Sequence, residues 1–153
     1  RAAQIPQAQS SDGRVHVRVI AGESLGVTSR IDTRVPIQML HFKLAPGARI
    51  EQSVPREQNA LIYVFKGAAQ VAGRDVQTGQ AALLGSGDSV ELGLNEAATE
   101  PAELLLLSGK PLNEPVARYG PFVMNTPEQI EQAFRDYQSG RVGVIPRREP
   151  VGG

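Results

Sequence analysis

Turn residues cut this chain into short pieces. Sixteen glycines and eleven prolines are spread along 153 residues, and the segments between them suit strands better than the long helices of a bundle. Residues 14–20 read RVHVRVI, with Val15, Val17 and Val19 on one side and His16 and Arg18 on the other. That alternation marks a half-buried strand. AGESLGVTSRIDTRVP follows as a long connection. IQMLHFKL then alternates again, with Leu40, Phe42 and Leu44 opposite His41 and Lys43, before a Pro46-Gly47 turn. Further strands are predicted at residues 61–65, 68–72, 81–84 and 89–94, separated by Lys66-Gly67, Gly73-Arg74-Asp75 and Gly85-Ser86-Gly87-Asp88. AELLLLS, residues 102–108, is nearly continuous apolar sequence, the pattern of a strand covered on both faces.

One helix is expected. Thr126-Pro127-Glu128-Gln129 combines a capping threonine, proline at the first helical position and glutamine three residues after the cap, which is a capping box with an acid in the first turn. Ile130, Ala133, Phe134 and Tyr137 form an apolar stripe expected to pack against the barrel, and Gly140 ends the helix. The prediction is an all-β sandwich or barrel with one C-terminal helix. An N-terminal extension spans 1–13, the barrel 14–109 and a covering segment 110–146 with its helix at about 127–139. A frayed tail occupies 147–153.

Composition removes several functions. Lys plus Arg and Asp plus Glu are equal at 16 each, so nothing favours nucleic acid or an anionic membrane at long range. There is no cysteine, which excludes disulfides, thiolate metal sites and cysteine nucleophiles. No apolar run approaches the roughly 20 residues of a membrane span. RAAQIPQAQSSDG has no apolar h-region, and a cytoplasmic location is expected. The chain opens on arginine rather than methionine, as a processed product or a piece of a longer chain would.

The glycine spacing resembles the two motifs of the cupins, whose fold is a double-stranded β-helix or jelly-roll barrel. Gly47 and Gly67 open and close the first motif, and Gly79 and Gly87 stand in the second. On that count Ser53 and Pro55 occupy the two histidine positions and Ala60 the glutamate position. Val90 takes the third histidine position, while Gly85 and Leu94 replace a proline and an asparagine. A first-row metal needs three or four converging N, O or S donors, so a barrel without its own metal is expected. PLNEPVARYGPFVMNT (residues 111–126) and VHVRVIAGESLGVTSRIDT (15–33) resemble the C-terminal cupin of the pirins, and the likeness extends over about residues 4–145. This resemblance implies an iron in a separate N-terminal cupin and none in this chain. It also implies quercetinase-like (dioxygenase) activity or transcription-cofactor roles in the family, with no catalytic residue to carry over. The expected partner is an N-terminal cupin or a second copy in a homodimer, through an exposed apolar patch.

The remaining polar residues leave several readings open. His16 and His41 lie on outward strand faces, where a histidine is usually solvated. Glu51 and Glu57 could act as acid and base, or sit on solvated loops. Gln52, Gln58, Asn59 and Tyr63 could line a pocket for a small aromatic or polar ligand. Asn113, Glu114, Arg118 and Tyr119 could bind a ligand, or fix the covering segment through hydrogen bonds. No phosphate loop, nucleophile elbow or catalytic triad is present. Function therefore divides between a structural module, the non-catalytic half of a dioxygenase and a small-molecule sensor.

Overall fold

The computed structural model describes residues 5–143. The chain divides into two compact units, with the break between Pro111 and Leu112.

Among its described residues the first unit contains twelve strands: β1 (Gln7–Gln9), β2 (Val15–Ala21), β3 (Glu23–Ser24), β4 (Val27–Thr28), β5 (Ile37–Leu44), β6 (Arg49–Ser53), β7 (Asn59–Lys66), β8 (Ala68–Val71), β9 (Arg74–Gln77), β10 (Ala81–Leu83), β11 (Ser89–Gly93) and β12 (Ala102–Gly109). One sheet has six strands in the order β1-β2-β5-β12-β7-β10, and the other has four in the order β6-β11-β8-β9. β3 and β4 pair only with each other. Residues 7–9, an extension on the sequence reading, pair with β2 through Gln7–Arg18 and Gln9–His16.

The core lies between the two sheets. Val15, Val17, Val19, Leu40, Phe42, Leu44, Ile62, Val64, Leu104 and Leu106 come from the larger sheet, and Ala69, Val71, Val76, Val90 and Leu92 from the smaller. Each buried Leu, Val or Phe contributes about 1.5–3 kcal/mol through loss of apolar surface to water. The alternation read in residues 14–20 and 37–44 is the alternation observed. Of the motif glycines, Gly67 has the strictest requirement. Its φ is +70°, and a Cβ there would lie 3.0 Å from the Pro101 carbonyl oxygen. A side chain there is strained by conformation and crowded by backbone.

Two departures from the sequence reading have local causes. The connection after β2 contains the β3–β4 ribbon, turned by Leu25 and Gly26 at φ +49° and +73°. Two successive positive φ values suit a two-residue hairpin, but leucine does not signal one. β7 carries a bulge, since Glu103 pairs with Lys66 and Leu104 with Val64, leaving Phe65 as the extra residue. Such a residue is unpaired and its side chain re-aimed.

The second unit holds β13 (Ala117–Tyr119), β14 (Phe122–Met124) and α1 (Pro127–Gln138). β13 and β14 form a hairpin, Tyr119 opposite Phe122, within the covering segment, for which the sequence reading gives a helix and no strand. The capping box is formed: the Thr126 hydroxyl accepts from the Gln129 N–H, and the Gln129 side chain accepts from the Thr126 N–H. Phe134 of α1 meets Phe122 and Tyr119 edge-on, with centroids 4.9 and 5.6 Å apart. Tyr137, expected in the buried stripe, is 64% exposed. The predicted frayed tail, 147–153, lies outside the described residues.

Candidate functional site

The parity that buries the core also selects what faces one end of the interior. On β5 the residue in phase with Leu40, Phe42 and Leu44 is Gln38. On β12 the residue in phase with Leu104 and Leu106 is Ser108, and the two stand opposite each other. β6 has Gln52 buried between exposed Glu51 and Ser53, and Val54 is buried just beyond it. Gln52 pairs across to Val90 of β11. Ala60 of β7, opposite Ser108, packs on the core.

These amides and hydroxyls satisfy one another. Gln52 Nε2 donates to the Glu23 carbonyl at 3.1 Å and the Ser53 carbonyl at 3.0 Å. Its Oε1 accepts from the Ser24 hydroxyl at 2.7 Å, and Ser24 and Gln52 are 3% and 5% exposed. Gln38 Nε2 donates to the same Ser53 carbonyl. The Ser108 hydroxyl donates to Gln58 Oε1 at 2.7 Å, and Gln58 Nε2 donates to the Pro36 carbonyl. Among the described residues, no buried side-chain N or O atom lacks a hydrogen-bond partner. Gln52 has both amide hydrogens committed, which leaves none for a guest.

Counting from Gly47 puts Ser53 and Pro55 at the two histidine positions, yet both are exposed. The buried residues are their neighbours Gln52 and Val54. A slip of one residue along a strand exchanges its two faces, and glycine spacing cannot detect that slip. Ala60 and Val90 do face the interior. Val54, Ala60 and Val90 carry no donor atom, and the amide of Gln52 is engaged, so the set does not fit a first-row metal ion. Beside this end, a cleft of about 570 Å³ is lined by Glu23, Leu25, Gln38, Glu51, Gln52 and Asp88, among others.

The other residues singled out from sequence are dispersed. Glu51 accepts from Ser89 at 2.6 Å, and Glu57 and Asn59 are exposed. Tyr63 faces outward from β7, 38% exposed. In the second unit, Glu114 accepts from Asn125 Nδ2 at 2.8 Å, while Asn113 is exposed at φ +54° and Arg118 and Tyr119 are exposed. Sequence reasoning misses Ser24, Gln38 and Ser108. For Gln38 and Ser108 a signal exists, because they are the polar residues in phase with buried neighbours on their strands.

The outer face of the six-stranded sheet holds a second cluster. His41 is not solvated as expected: its Nε2 donates to Glu103 Oε2 at 3.0 Å, with both side chains under one-fifth exposed. Phe65, displaced by the bulge, sits with its ring 5.3 Å from the His41 ring. Lys66 Nζ is 3.6 Å from the other Glu103 oxygen. At the β1–β2 turn, a bond from the Ser10 hydroxyl and then one from the Arg14 N–H hold the Asp12 carboxyl below its ordinary pKa.

Two facing antiparallel sheets around one core, with a polar network at one end, define a cupin barrel. The model of the Pirin C-terminal cupin domain matches residues 39–143, and the chain belongs to the pirin family. It is 41% identical to a pirin-like protein of Solanum lycopersicum over 95% of this chain and 50% of that protein. It is 40% identical to the Pirin of Homo sapiens over 92% of this chain and 48% of that protein. Among solved structures, a quercetin 2,3-dioxygenase from Acinetobacter baumannii superposes with a TM-score of 0.83 at 34% identity, covering 95% of this chain and 50% of that one. The chain thus spans about half the length of the curated relatives it matches. Among the described residues, no helix is long and apolar enough to cross a membrane.

Proposed function

We propose that this chain is a metal-free cupin module whose task is to pack on a second, metal-bearing cupin and shape that neighbour's site. The observation that carries the reading is the Gln52 network. Where a metal cupin converges imidazoles and a carboxylate, this barrel places an amide held by Ser24, Glu23 and Ser53, beside Val54, Ala60 and Val90. Relatives about twice as long supply room for the second cupin, and iron there follows from the family resemblance.

The outer sheet face supports the docking role. Leu61, Tyr63, Leu105, Leu107 and Met39 lie side by side across β7, β12 and β5, with Leu83 of β10 opposite Leu61 and 82% exposed. Such a patch, flanked by charge, has the character of a protein interface. A second copy of the chain would cover it in the absence of the other cupin. Light scattering after size exclusion should show a dimer at high micromolar concentration, and Leu83→Asp with Leu105→Asp should leave a monomer. Metal analysis of the purified chain should find no stoichiometric transition metal. A bound equivalent of iron, or a strict monomer, would refute the module reading.

A dioxygenase role enters by the same route. The quercetin 2,3-dioxygenase from Acinetobacter baumannii suggests flavonol-type chemistry for a two-cupin assembly, with this chain as the half that holds no reacting atom. The cleft beside Gln52 favours a second reading, a sensor for a small molecule. Its lip carries Leu25, 43% exposed at a positive φ, a conformation that costs a non-glycine residue about 1 kcal/mol or more. A thermal-shift screen with flavonols and aromatic acids that yields no hit would remove it.

A further inference from the structure

The charged half of the outer sheet face has an unbalanced composition. β2, β5, β12 and β7 lie side by side, and their outward residues form two rows: His16, Lys43, Glu103 and Lys66, then Arg18, His41, Leu105 and Tyr63. Arg18, Lys43 and Lys66 thus share this face with one carboxylate, in a chain whose total charge is zero. Glu103 is already shared between His41 and Lys66. Among the described residues neither Arg18 nor Lys43 is ion-paired. Both line a cleft of about 320 Å³ with Gln7, His16, His41 and Glu103.

The hydrogen bonds also fix which way the histidines donate. Gln9 Nε2 donates to the Gly13 carbonyl at 3.0 Å, which sets the orientation of that amide. The same nitrogen lies 3.1 Å from His16 Nε2. His16 Nε2 is therefore the acceptor, and a neutral His16 carries its proton on Nδ1. His41 must donate to Glu103, because a carboxylate only accepts. The cleft then keeps Arg18 and Lys43 as its unpaired cations, with Glu103 as its one carboxylate.

We propose that this cleft binds a small organic monocarboxylate, its carboxyl group held by Arg18 and Lys43 above His16. Arginine matches a carboxylate with two parallel N–H donors, and the unpaired cations Arg18 and Lys43 attract its negative charge. Glu103, at one side of the cleft, repels a second carboxylate placed beside it. The cleft adjoins the apolar half of the same face, which lies over β5, β12, β7 and β10, with Leu105 beside His41 at the border.

The two histidines are the only ones in the chain, so their ring signals report the cleft without labelling ambiguity. Titration of the chain with sodium acetate and sodium propionate at constant ionic strength and pH should move both rings saturably. Arg18→Gln with Lys43→Gln should weaken binding about tenfold at unchanged melting temperature, and Arg74→Gln, on the other sheet, should not. Succinate should bind no more tightly than propionate. Shifts linear in acetate, or unaltered by the double substitution, would overturn the site. Succinate binding more tightly than propionate would overturn its assignment to monocarboxylates.

Discussion

The barrel carries two polar clusters that differ in one respect. At the inner end, Ser24, Gln38, Gln52, Gln58 and Ser108 are neutral and mutually satisfied. On the outer face, Arg18 and Lys43 bring charge that no carboxylate among the described residues pairs with. A closed network in low dielectric stabilises the fold and resists substitution, because each atom removed strands another. An open cluster in water contributes little to stability and is free to meet a ligand. The position a family likeness marks as a site is here the closed one, and the addressable one lies on the opposite face of the sheet.

The largest expected effect comes from reopening the inner end. Gln52→His, Val54→His, Ala60→Glu and Val90→His together place four donors on residues that face the interior. This variant should bind Co²⁺ with the visible absorption of a tight complex. Ser53→His with Pro55→His, on exposed positions, should give no such band. If the second variant bound cobalt and the first did not, the inward register assigned to β6 would be wrong.

Next in size is Gln52→Leu. It leaves the Ser24 hydroxyl without its acceptor and the Glu23 carbonyl without its side-chain donor, and should cost about 2–4 kcal/mol in urea unfolding. A cost under about 0.5 kcal/mol would mean that the inner cluster is not closed, and the contrast between the clusters would fail. Glu103→Gln should cost less, under about 1 kcal/mol, since the pair with His41 is partly exposed and such pairs contribute little. The same substitution should tighten acetate binding at the outer cleft by removing the opposing charge, which the histidine titration reads directly.

The fold is legible in the sequence because its signals are local. Alternation in RVHVRVI and IQMLHFKL gives the buried faces of β2 and β5, and the Thr126 capping box gives the start of α1. The candidate site is legible only in outline. Ala60 and Val90 do face inward, but Ser53 and Pro55 do not, because the glycine frame measures chain length and not which way a side chain points. Apolar phase is the better guide on β6: Ile50 and Val54 flank Gln52 at two-residue spacing and mark the inner face on which it lies. Sequence alone reads His41 as solvated because its partner Glu103 is 62 residues away and reaches it only through strand pairing. Nothing in LIYVFK signals that Phe65 is a bulge residue, since the bulge is a property of β7 and β12 together.

The smallest effect tests how the outer cleft is assembled. Gln7 of β1 lines it and Gln9 touches His16, and β1 is joined to β2 through the turn containing Asp12. The Asp12 carboxylate accepts from the Ser10 hydroxyl at 2.5 Å and the Arg14 N–H at 3.1 Å, so its folded pKa lies below its unfolded value of about 3.8. A depressed pKa stabilises the turn above the unfolded value, and that contribution is lost as pH falls through the folded one. Acidification below pH about 4 should therefore loosen β1, seen as faster amide exchange at Gln9 while Leu40 and Phe42 stay protected. Asp12→Asn should remove this acid-dependent step and leave the core untouched. Equal loosening of β1 in the wild type and Asp12→Asn would show that another group anchors the strand, and the cleft would then owe its β1 wall to pairing with β2 alone.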